Sequence, residues 1–181
     1  MASKVRLFVD HPVGEGQTVP LSRDQSHYLF NVMRLTVGTC LSVFDGVNGE
    51  WDATIAQAGK RGGILTCIAQ TRAQDLPPDL WLVFAPIKKN RTDFIVEKAV
   101  ELGVRHLVPV RTDFTNERMR RDKLQAHAVE AAEQCGATFV PQVAELTRFS
   151  DVLNGWDNTR SIVFCDEAMR GQPAILPADL T

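Results

Sequence analysis

The chain has 181 residues, 44% hydrophobic and 23% charged, with a formal net charge of −2. That composition belongs to a globular protein and excludes a disordered chain or a wholly basic nucleic-acid binder. No stretch reaches the roughly 18 apolar residues of a membrane span, and the start, MASKVRLFVDHP, has no signal-peptide core, so a soluble cytoplasmic protein is expected.

Residues 5–9 form the first strand candidate. Ser22, with Gln25 three residues on, is a capping box that opens a helix over about 23–33, with Tyr28, Leu29 and Val32 as its apolar side. Residues 39–45 (TCLSVFD), 50–57 (EWDATIAQ) and 64–71 (ILTCIAQT) alternate with period two and are separated by glycine-bearing turns. This spacing predicts a small antiparallel sheet or barrel. The polar, proline-bearing stretch 72–79 (RAQDLPPD) is the best domain boundary, dividing the chain into 1–72 and 80–181.

Beyond it the pattern changes. Residues 80–85 (LWLVFA) are a continuous apolar run, expected of a strand buried on both faces. A basic loop, 86–91 (PIKKNR), leads to a helix capped by Thr92 and ended by Gly103. Residues 106–110 (HLVPV) are a second strand. Asp122 opens a second helix, with Leu124, Ala128, Ala131, Ala132 and Cys135 on one stripe and Gly136 at its end. A short strand is expected within 139–146, a short helix near 152–156 after Ser150 or Asp151, and a buried strand at 161–165 (SIVFC). Alternating strands and helices imply a mostly parallel sheet, whose ligands bind beyond the strands' carboxyl ends.

Positive charge gathers mid-chain: residues 86–123 carry 10 basic and 6 acidic side chains, against 3 and 8 in 124–181. Lys88, Lys89 and Arg91 follow a strand and precede a helix, a placement suited to phosphate. His27, Asn31 and Arg34 share a helix side and offer a phosphate contact and a base-edge contact. Glu130, Glu133 and Gln134 are a weaker acid–base candidate, more readily read as a solvated face. Asp166 and Glu167 follow the last expected strand. The cysteines (Cys40, Cys67, Cys135, Cys165) show no zinc or disulfide spacing, and Cys67 and Cys165 read as core residues. No metal site is expected, and no dinucleotide, Walker, zincin or serine-hydrolase motif occurs.

Several segments together resemble the bacterial RsmE family: HYLFNVMR at 27–34 with Gly38, FDG at 44–46, KKNRTDFIVEKAVELGV at 88–104, and AAEQCG at 131–136 with VP at 140–141. The resemblance implies an N-terminal PUA-like β-barrel followed by a SPOUT-type parallel α/β domain. It implies an enzyme that methylates N3 of a uridine near the 3′ end of 16S rRNA in the small ribosomal subunit, with S-adenosyl-L-methionine as donor. His27, Asn31 and Arg34 would then contact RNA from the barrel. Lys88, Lys89 and Arg91 would approach it near the catalytic cleft, with Glu133, Gln134 and Gly136 nearby. No catalytic residue is assigned.

The chain departs from the family in two ways. Ala137 stands where the family usually has arginine. The C-terminal GPEGG-type loop and LG-x-R-x-LR-x-ET segment are not in the chain, which stops at Thr181. Those segments hold most of the donor site and the homodimer interface in the family. A C-terminally truncated methyltransferase is therefore expected, with Asp166 and Glu167 as the remaining candidates for donor contact. The alternatives are a non-catalytic RNA-binding fragment of such an enzyme and an unrelated α/β small-molecule enzyme.

Overall fold

The computed structural model describes residues 5–59, 62–115 and 119–171. Five strands build the first sheet: β1 (Arg6–Phe8), β2 (Thr18–Pro20), β3 (Cys40–Phe44), β4 (Glu50–Gly59) and β5 (Gly62–Arg72), in the order β1-β3-β4-β5-β2. The three long strands pair antiparallel as their alternation requires, but β1 runs parallel to β3. The antiparallel arrangement expected of the three strands is present, and the parallel β1 adds to it. A return through β2 and a helical segment carries the chain from β1 to β3 in the parallel sense, and β2 itself is too short for a period to show.

Period-two alternation sends Leu7, Leu41, Val43, Ala53, Ile55, Leu65 and Cys67 into one core, which Val19 and Leu29 complete. The opposite faces of β1 and β3 carry Phe8 and Phe44. These belong to a second core, their rings edge to face at 5.6 Å.

The helical segment opens with α1 (Arg23–His27), and its capping box is present: Ser22 Oγ accepts from Gln25 N–H, and Gln25 Oε1 accepts from Ser22 N–H. From Tyr28 to Val32 the coil widens into a π-helix. Widening rotates the side chains, so only Leu29 of the three expected apolar residues is buried; Tyr28 and Val32 face outward.

The second sheet is parallel, with β6 (Trp81–Phe84), β7 (His106–Arg111) and β8 (Gln142–Val143) in that order. A two-residue β9 (Thr147–Arg148) also pairs in parallel with β7. Two helices, α2 (Lys89–Glu101) and α3 (Arg121–Cys135), pack together over this sheet. Val96, Ala99 and Val100 meet Leu124, Ala128, Ala131 and Ala132 above Leu107 and Val143. A short α4 (Phe149–Asn154) follows β9.

Four expectations fail here. Strand β6 is half-exposed, because it is an edge with one neighbour among the described residues. Residues 161–165 join neither sheet of the described residues, and Ile162, Val163, Phe164 and Cys165 are exposed. Cys135 lies at the end of α3, off the buried stripe. Finally, α2 begins three residues earlier than Thr92.

Candidate nucleic-acid interface

The start of α2 is set by a hydroxyl. Thr92 Oγ1 accepts from Ile87 N–H and donates to Ile87 O, closing the turn that leaves β6. Lys88 becomes the N-cap by its backbone: its carbonyl accepts from the N–H groups of Arg91 and Thr92, and its side chain makes no capping bond. The three cations Lys88, Lys89 and Arg91 therefore sit on the first turn of a helix, not in a loop, and all three are exposed. No acidic residue occupies that turn. Helix N–H groups and three positive charges converge beyond the carboxyl end of β6, which is where a parallel sheet receives anionic ligands. Lys89 is partly neutralised by Asp93 at 2.7 Å, so Lys88 and Arg91 carry most of the uncompensated charge.

The same end of the sheet holds cations not singled out in the sequence. Arg111 closes β7, Arg148 closes β9, and Arg120 and Arg121 begin α3. The mid-chain basic run was the only signal for Arg111, Arg120 and Arg121, and Arg148 had none; the parallel order gathers them on one side. They are not equally available. Arg120 is paired with Asp122, whose carboxyl it holds below the usual aspartate range. Arg121 donates from Nε to Val143 O at 2.9 Å and anchors the end of β8.

Glu133, Gln134 and Gly136 lie elsewhere. Because α2 and α3 each lead into the start of a parallel strand, the end of α3 is at the amino-terminal end of the sheet. Gly136 there lines a cavity of about 230 Å³ with Gly103 and Val104, which precede β7. The structure thus separates these three residues from the Lys88 group.

What they do is join the two sheets. Gly136 takes the left-handed conformation at φ 80°, which glycine adopts without strain, and ends α3. Carbonyls at and just beyond this helix end accept from arginines of the first sheet. Arg6 donates to Ala132 O and Ala137 O, both at 2.7 Å, and Arg72 donates to Gly136 O at 2.7 Å. Cations at a helix C-terminus also oppose its negative dipole end. Arg6 is held by Glu50 at 2.5 Å and lies over the Phe44 ring at 4.1 Å. Glu133 Oε1 accepts from Phe8 N–H at 2.8 Å. Burial pushes the Glu133 carboxyl above its ordinary pKa, against the Phe8 bond, which lowers it. The side chain of Ala137 packs on the second core.

Gln134 instead borders an open groove of about 540 Å³ between α2 and α3, whose rim carries Asp93, Glu97, Glu101 and Glu130. That acidic rim repels phosphate. His27 and Asn31 do meet: Asn31 Nδ2 lies 2.8 Å from His27 Nδ1. Arg34, exposed, follows the π-helix in the left-handed region at φ 56°. Asp166 and Glu167 are exposed, and Asp166 spends a carboxylate oxygen on Ala168 N–H.

A family model described as "RNA methyltransferase domain" matches residues 74–178. The chain belongs to this RNA methyltransferase family. A second, described as "RNA methyltransferase PUA domain", matches residues 21–66. The reading as an unrelated small-molecule enzyme is thereby overturned.

Among relatives, ribosomal RNA small subunit methyltransferase E of Rickettsia conorii is 25% identical over 94% of this chain and 70% of its own length. The protein of the same name in Synechocystis is 32% identical over 75% of this chain and 46% of its own. A crystal structure of ribosomal RNA small subunit methyltransferase E from Neisseria gonorrhoeae, bound to S-adenosyl methionine, superposes with a TM-score of 0.78 at 23% identity. It covers 85% of this chain and 66% of that one. The chain therefore spans about two thirds of the Neisseria structure's length. The likeness shows a common fold: a β domain, which carries the PUA match, joined to a parallel α/β domain. No helix among the described residues is long and apolar enough to cross a membrane.

Proposed function

We propose that the chain serves the methylation of N3 of a uridine in the 16S rRNA of the small ribosomal subunit, with S-adenosyl-L-methionine as donor. The observation that carries this is the cation group on the first turn of α2, beyond the carboxyl end of β6, in a segment that belongs to an RNA methyltransferase family. Uracil N3 attacks only after losing its proton. Lys88 and Arg91 are suited to hold the flanking phosphates and to oppose the negative charge that builds on the base. Fixing the nucleotide against the protein supplies orientation as well. His27, Asn31 and Arg34 add a second RNA contact from the barrel side. With a ribosomal substrate, the reaction belongs in the cytoplasm.

The described residues do not enclose a donor. The 230 Å³ cavity lies at the amino-terminal end of the second sheet, the 540 Å³ groove runs between α2 and α3 under an acidic rim, and Asp166 and Glu167 stand on an exposed turn. No step is derived through the donor from them. This favours a second reading, in which these residues bind RNA without transferring a methyl group.

One experiment separates the two. The chain is incubated with small-subunit RNA and S-adenosylmethionine carrying a labelled methyl group, and the digested RNA is examined by mass spectrometry. N3-methyluridine supports the first reading. RNA binding with no saturable binding of S-adenosylmethionine supports the second. A methyl group on another base overturns the proposed substrate.

A further inference from the structure

We infer that the outer face of the helical segment after Ser22 is a stacking site for an unpaired nucleobase of RNA, with Tyr28 as its platform. The inference rests on the RNA reading above and adds what kind of RNA is held and by which group.

The inward face of this segment is accounted for by packing. Ser26 and Leu29 are buried, and Phe30 packs against the first core. The outward face is not explained that way. Tyr28 is 41% exposed, Val32 58% and Val37 59%. Tyr28 and Val32 are four residues apart and form one stripe; Arg23, His27 and Asn31 form the stripe beside it. An aromatic ring thus lies alongside a row of cation, imidazole and amide.

The local backbone supports a built surface. Met33 N–H reaches Tyr28 O, and Leu35 N–H reaches Leu29 O, wider spans than an α-helix makes. Arg34 holds a positive φ of 56°, unusual for a side chain with a Cβ. Short π segments of this kind recur at functional sites.

The polar groups decide the occupant. Arg23 and Arg34 stand at the two ends of the segment, offering cations to the backbone of a strand laid along it. The His27 contact uses one Asn31 amide hydrogen and orients the group, leaving its other hydrogen and its carbonyl to meet a base edge. The carboxylate on the Tyr28 stripe, Asp24, lies one turn earlier, in the first turn of α1, where the helix dipole favours it. Base stacking on an aromatic face, flanked by cations, is how proteins hold single-stranded RNA. A duplex hides base faces, so the site selects unpaired nucleotides.

Tyr28 is the single tyrosine of the chain, so 3-fluorotyrosine labelling places one fluorine reporter at the site. We expect the fluorine resonance to move upfield when a single-stranded oligoribonucleotide is added, and to stay put with a duplex of the same length. Tyr28→Ala should weaken single-strand binding about tenfold with an unchanged salt slope, and Tyr28→Phe should stay within about twofold, since the ring is kept. An unmoved resonance with RNA still bound through Lys88 and Arg91 overturns this inference and leaves the proposed function standing. No RNA binding of any kind overturns both. A resonance that shifts with protein concentration alone marks a contact between copies of the chain and overturns the inference.

Discussion

Removing Arg6 should weaken the protein more than any other single surface-accessible charge. Its guanidinium is only 15% exposed and its partner Glu50 11%. Arg6→Met deletes the ion pair, two short bonds to Ala132 O and Ala137 O, and the stacking on Phe44. Glu50 keeps only Arg72, at 3.7 Å. Breaking one side of a buried pair costs about 3–5 kcal/mol. Some water reaches the site and Arg72 is near, so the lower end, about 3 kcal/mol, applies. Arg6→Met with Glu50→Leu should cost less than the single change, about 1–2 kcal/mol, because no charge is stranded and only carbonyls are left without donors. Urea unfolding of the wild type, both single variants and the double variant closes the cycle. If Arg6→Met costs under about 1 kcal/mol, or the two changes add to within about 0.5 kcal/mol, the clamp is not a coupled unit and the reasoning is wrong.

Three further changes test other parts of the structure. Glu133 has a raised carboxyl pKa in the folded state; its stabilising neutral form is therefore fully present below the unfolded value and is lost as pH rises through the folded one. Glu133→Gln keeps the acceptor for Phe8 N–H and removes that loss, so the variant should gain on the wild type in urea midpoint between pH 4.5 and 7; parallel curves would refute it. A Cβ on Gly49 would overlap Arg72 O and backbone atoms of Ala73 and Gln74, at a φ of 78°, so Gly49→Ala should cost about 2 kcal/mol or more by thermal unfolding. Thr92→Val removes both bonds to Ile87 and should cost about 1–3 kcal/mol, with faster amide exchange at Ile87 as the local signature.

The strands of the first sheet were legible because their residues alternate with period two, as 39–45 and 50–57 do. The parallel sheet was legible from the order of strands and helices. The failures have separate causes. Thr92 carries a capping side chain, but it bonds backward to Ile87 within the first turn, which moved the N-cap to Lys88 and the helix start to Lys89. Apolar runs such as 161–165 record hydrophobicity, not the neighbours that would bury it. Tyr28 and Val32 have helical spacing, and a π turn rotates them outward. The Arg6 clamp had no sequence signal at all: Arg6 and Ala132 are 126 positions apart, and nothing local distinguishes a buried arginine from a solvated one. The same blindness applies to AAEQCG, a readable motif whose place at the junction of the two sheets needed the fold.

The central claim is that the α2 cations hold RNA phosphates, and salt dependence tests it most directly. Binding of a 16S rRNA fragment is measured against salt concentration for the wild type and for Lys88→Ala/Lys89→Ala/Arg91→Ala. The slope of log affinity on log salt should shrink by about 2, since each lost contact to RNA contributes roughly 0.7–0.9 and Lys89 is partly spent on Asp93. An unchanged slope with unchanged affinity would contradict the account.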